Sequence, residues 1–61
     1  MNKFKIGIVL EDKIEWSTIE ANYYEMGASG NAYHFKKIVN KQSLDLASYP
    51  VLNTIIIKEI R

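Results

Sequence analysis

Few residues in this 61-residue chain have the type and spacing that chemistry requires. His34 is the single histidine and there is no cysteine, so a metal site would need carboxylates alone as co-ligands. On a sheet face, a histidine stacked on Tyr23 is the simpler expectation. Glu11 and Asp12 are adjacent carboxylates, but neighbours in a strand point to opposite faces, which keeps them from acting as an acid–base pair. They read as turn formers. Ser17, Thr18, Ser29, Ser43 and Ser48 lack a nucleophile-elbow context. Gly27-Ala28-Ser29-Gly30 is too short for a phosphate loop and is not followed by Lys-Ser/Thr. The residues therefore predict a protein that is not an enzyme and uses no cofactor.

The aromatic residues carry more information. Trp16, Tyr23, Tyr24, Tyr33, Phe35 and Tyr49 are too many for the interior of so small a domain. Tyr and Trp are favoured at interface hot spots, where a large apolar body comes with a polar handle. The expected protein-binding set is Trp16, Tyr23, Tyr24, Tyr33 and Tyr49, with Glu20, Glu25, Lys36 and Lys37 as rim charges. The alternative is nucleic-acid binding, with Tyr33 and Phe35 stacking beside Lys36, Lys37 and Lys41. A net charge of +1 and a single arginine weigh against it.

The elements that position these residues read as strands. Lys3 to Leu10 alternates, with Phe4, Ile6, Ile8 and Leu10 on one face and Lys3, Lys5, Gly7 and Val9 on the other. Glu11-Asp12-Lys13 is a polar turn. Ile14 to Met26 is expected as one long strand. Its rival is a helix over residues 17–26, because Trp16, Ile19, Tyr23 and Met26 have helical spacing and Ser17-Thr18-Ile19-Glu20 resembles a capping box. Tyr23-Tyr24, Thr18 and Asn22 favour the strand. Glycines at both ends of Gly27–Gly30 suit a hairpin turn by supplying positive φ. Pairing Gly27 with Gly30 sets Tyr24 opposite Tyr33, Glu20 opposite Lys37 and Ile19 opposite Ile38.

Val39-Asn40-Lys41-Gln42 is a polar break, Ser43 to Ala47 a short strand, and Ser48 to Asn53 a turn punctuated by Pro50. Thr54 to Ile60 is the last strand. Its Ile55-Ile56-Ile57 run predicts burial on both sides. The fold expected is all-β, an SH3-like small barrel or strongly twisted antiparallel sheet of about five strands in a single domain. The competing order is β-α-β-β. This succession resembles SH3-like barrels, in which a single 3₁₀-like turn separates the last two strands; residues 48–53 hold that place.

The chain also resembles short orphan proteins of phages and prophages. The resemblance lies in Val9-Leu10-Glu11-Asp12, Glu15-Trp16, Ala47-Ser48-Tyr49 and the Ile-rich terminal strand. It implies a small module that binds and modulates or inhibits a host protein. Seven lysines to one arginine and nine isoleucines agree with a low-GC bacterium or its phage.

Residues 1–30 carry a net charge of −2 and residues 31–61 a net of +3, a division that cross-strand pairing accounts for. No apolar run approaches the roughly 20 residues that span a bilayer, so the expected location is the cytoplasm, away from membranes. A chain this short buries only about 60% of its unfolded surface, and small unstapled domains often gain stability by oligomerising. Apolar side chains on both hairpin faces and an open Ile-rich edge predict a homodimer.

Overall fold

A computed structural model describes residues 1–59 and shows an all-β protein. Its strands are β1 (Asn2–Val9), β2 (Ile14–Ala21), β3 (Tyr23–Met26), β4 (Ala32–Val39), β5 (Gln42–Pro50) and β6 (Thr54–Lys58), with one 3₁₀ turn at Val51–Asn53. They form two antiparallel three-stranded sheets, ordered β2-β1-β6 and β3-β4-β5. No helix among the described residues is long and apolar enough to cross a membrane.

The period-two pattern of β1 decides the first sheet. Phe4 and Ile6 point inward and are buried, while Lys3 and Lys5 point outward. β2 pairs with β1 over its whole length, Ile19 opposite Phe4 and Trp16 opposite Gly7. Helical spacing in residues 17–26 thus gives way to tertiary pairing: a helix there would leave one side of β1 without a ladder. The Ser17–Glu20 capping pattern falls in mid-strand.

The expected long strand is broken at Asn22, which lies between β2 and β3. β2 therefore stays with β1, and Glu20 faces Lys3 rather than Lys37. Ile19 likewise faces Phe4, not Ile38. In the second sheet Tyr24 lies opposite Phe35 and Met26 opposite Tyr33, two residues from the expected register. A shift of two preserves the face each side chain occupies. Tyr24 and Tyr33 still meet, ring centroids 5.9 Å apart.

Two turns depart from expectation. Gly30 has φ +74°, but Gly27 does not adopt positive φ. Gly27 is needed for room instead: a Cβ there would lie 2.7 Å from Nε2 of His34. Asn40 and Lys41, with φ of 51° and 65°, make a two-residue turn between Val39 and Gln42. Both positive angles are what a type I′ hairpin turn demands.

β5 is longer than expected and runs through Ser48 to Pro50, so the turn before β6 contracts to Val51–Asn53. Pro50 is tolerated because β5 is an edge strand and Pro50 its last residue. A bulge near Phe35/Lys36 shifts the β4–β5 register. β6 is described to Lys58, and Ile60 lies outside the described residues.

The core is Phe4, Ile6, Ala21 and Phe35, flanked by Ile8, Ile19, Tyr33, Tyr49 and Ile56. Phe35 is its centre, with edge-on or tilted rings of Phe4, Tyr24 and Tyr49 at 5.3, 5.2 and 5.6 Å. Burial of β6 is one-sided: Ile56 packs on the core, whereas Ile55 and Ile57 are exposed.

Candidate functional site

The break at Asn22 builds a concave feature that gathers aromatic and polar groups from separate strands. The Asn22 N–H donates to the Lys36 carbonyl at 2.9 Å. Its side-chain Oδ1 accepts the Ile38 N–H at 2.7 Å, and its carbonyl accepts Asn2 Nδ2 at 3.0 Å. These bonds tie the first sheet to the second where the chain leaves one for the other.

Beside this junction opens a cleft of about 260 Å³ lined by Asn2, Phe4, Asn22, Tyr23, Tyr24 and Lys58. Drug-sized ligands occupy sites of about 300–1,000 Å³, so the cleft is on the scale of a protruding side chain. Phe4 and Tyr24 meet edge-on at 5.4 Å and form its aromatic part. Asn2 and Asn22 supply amide groups, and Lys58 a positive charge. The arrangement can take an apolar or aromatic group and pair a nearby carboxylate with Lys58.

The outer face of the second sheet is polar apart from the exposed Ile38, and several of its polar groups pair with one another. Lys36 contacts Asp45 at 2.9 Å and Glu25 at 3.5 Å. The hydrogen bond to Asp45 raises the Lys36 pKa above its ordinary value, with burial opposing and Glu25 adding to the rise. The same bond lowers the Asp45 pKa, helped by the Lys36 charge and by nearby His34. His34 Nδ1 lies 2.8 Å from Ser48 Oγ, and the Tyr23 hydroxyl 2.8 Å from Ser43 Oγ. His34 thus sits between Ser48 and Gly27.

The expected binding residues do not assemble into one patch. Tyr23 and Tyr24 line the cleft. Tyr33 and Tyr49 pack against the core. Trp16 lies on the outer face of the first sheet, over Gly7. Glu25 and Lys36 pair with each other, Glu20 is across from Lys3, and Lys37 is half-buried opposite Leu44.

Nucleic-acid stacking loses its central residue, since Phe35 is 0% exposed. Lys36, committed to two carboxylates, is poorly placed to meet phosphate. The sequence reading missed Asn2, Phe4, Asn22 and Lys58 as cleft residues. No local pattern marks them, because three strands distant in sequence bring them together.

No protein-family model, curated protein sequence or solved structure matches the chain.

Proposed function

We propose that this chain is a small, non-catalytic protein-binding module whose cleft receives a protruding side chain of its partner. The cleft between the sheets carries this reading: aromatic walls from Phe4 and Tyr24, flanked by Asn2, Asn22 and the cation of Lys58. An aromatic or aliphatic residue beside an acidic one is the partner feature such a site suits, because apolar burial then comes with a charge-assisted contact. The 3₁₀ turn at Val51–Asn53, before the last strand, supports an SH3-like arrangement. The resemblance to phage and prophage proteins supports a host protein as the partner, to be modulated or inhibited in the cytoplasm.

Bacterial lysate passed over the immobilised chain, with and without nuclease, tests this. One protein should be retained after nuclease by the wild type and lost with Lys58→Glu and with Tyr24→Ala, provided both variants keep the wild-type circular dichroism spectrum. Its addition should shift the amide resonances of Asn2, Phe4, Asn22 and Tyr24. Retention of nucleic acid alone, with affinity falling steeply as salt rises, would overturn the reading in favour of nucleic-acid binding.

A further inference from the structure

The outer face of the first sheet carries an exposed apolar patch beside the polar row of Lys3, Lys5, Thr18 and Glu20. The register sets Val9 beside Ile14, Gly7 between Trp16 and Ile55, and Lys5 between Thr18 and Ile57. Trp16, Ile55 and Ile57 are 44%, 38% and 46% exposed. With Val9 and Ile14 they offer apolar surface on the order of 400 Å², within the size range at which the largest patch on a monomer is often functional. Trp16 lies at the middle of this face. A Cβ at Gly7 would be 2.7 Å from Cζ3 of the indole, so glycine lets the ring lie flat on the sheet. Lys5 Nζ is 4.7 Å from the ring centroid and helps hold it there. A pre-ordered tryptophan ringed by aliphatic side chains is the composition of an interface hot spot.

The chain's own fold is short of burial. Its accessible surface is 4522 Å² for 7.1 kDa, against roughly 4,100 Å² for a compact monomer of that mass. Its radius of gyration is 12.0 Å, against about 10.5 Å for a compact chain of this length. A shortfall in the chain's own burial is met most directly by a partner present whenever the chain folds, and that partner is another copy. Charge agrees with this. When two such faces stack with strands antiparallel and Gly7 near the centre, the Glu11-Asp12-Lys13 turn of each copy lies toward Lys3, Lys5 and Glu20 of the other, so both signs meet groups of opposite sign. With Lys5, Thr18 and the rim included, the face approaches the roughly 600 Å² per partner of the smallest stable interfaces.

We infer that the chain forms a two-fold homodimer through the outer face of its first sheet, with Trp16 at the centre and Ile14, Val9, Ile55 and Ile57 around it. The cleft opens between the sheets, away from this face, so the dimer presents two clefts and does not depend on the cleft's proposed role.

Light scattering and sedimentation of the full chain at micromolar and higher concentrations should give twice 7.1 kDa. Trp16 is the only tryptophan, so its fluorescence reports this face directly. It should be blue-shifted and protected from acrylamide in the dimer, and shift to the red on dilution with a midpoint at the dissociation constant. Ile57→Glu puts a carboxylate opposite Lys5 in the register, a pair the folded chain accepts but an apolar interface does not. It should raise the dissociation constant on the order of 30-fold or more while the β-type dichroism persists. Ile38→Lys, on the second sheet, should leave the dimer intact.

A folded monomer at all these concentrations overturns the inference. So does a dimer in which Trp16 is freely quenched, or one unaffected by a folded Ile57→Glu variant. If Ile57→Glu does not fold, the Trp16 emission of the wild type decides between the outcomes.

Discussion

Phe35 is fully buried, with the rings of Phe4, Tyr24 and Tyr49 packed around it. Truncating such a residue removes its transfer free energy and leaves a cavity, so Phe35→Ala should cost about 3–5 kcal/mol. A domain of this size has roughly 3–9 kcal/mol in total. Urea titration followed by circular dichroism should therefore show Phe35→Ala losing roughly a third or more of the wild-type stability, with a correspondingly lower midpoint. Gly27 and His34 form a second coupled pair at this scale. Gly27→Ala drives a methyl against the imidazole and should destabilise the wild type. In a His34→Ala background most of that cost should vanish, and a double-mutant cycle would measure a coupling of about 0.5–3 kcal/mol.

At the scale of elements, the β4–β5 hairpin carries a correctable defect. Lys41 sits at φ 65°, a conformation lysine adopts at a cost and glycine does not. Lys41→Gly creates an Asn-Gly turn, the favoured type I′ sequence, and should raise stability by about 0.5–1 kcal/mol in the same titration. The Lys36–Asp45 pair links the same two strands and makes their stability depend on pH. Asp45, with its pKa lowered on folding, stabilises the fold above the ordinary carboxylate value of about 3.9. That contribution is lost as pH falls through the lowered value. Lys36, with its pKa raised, contributes below about 10.4 and loses that contribution as pH rises through the raised value. The contribution of this pair should thus be constant between these limits, and Asp45→Asn should lower stability there while making the acid limb shallower in melts across pH.

For the whole molecule, the pairing of β1 with β6 governs cooperativity. Phe4 lies opposite Lys58, so nearly the full chain must close before this ladder forms. Non-local pairing of this kind places folding in the millisecond-to-second range, which stopped-flow fluorescence of Trp16 would register. Removing residues 51–61 takes β6 and the core contact of Ile56 away from β1. The truncated chain should lose its β-type dichroism rather than retain an isolated second sheet, because a two-sheet core with four buried hydrophobic side chains among the described residues has no independent half.

Local pattern alone determined a good deal of this protein. Alternation in residues 3–10, the turn chemistry at Glu11–Lys13 and Gly27–Gly30, and the β-branched Thr54–Ile57 run identified an all-β chain, although the long strand expected over residues 14–26 is two strands and the total six rather than five. These signals are legible because side-chain direction in a strand repeats every two residues and turns need particular φ angles. Tertiary structure decided where the long segment 14–26 divides. Asn22 looks like any weak helix former in sequence, and its bonds to Asn2, Lys36 and Ile38 exist only once two sheets stand side by side. That division moved Glu20 and Ile19 to β1 and the hairpin register by two residues, and it assembled the cleft. The isoleucine run shows the same boundary: its β-branching encodes strand and a demand for burial, but only packing reveals that the chain itself covers one side. A strand's hydrogen bonds and burial come from partners remote in sequence, so local pattern fixes the faces while the assembled sheets fix what each face meets.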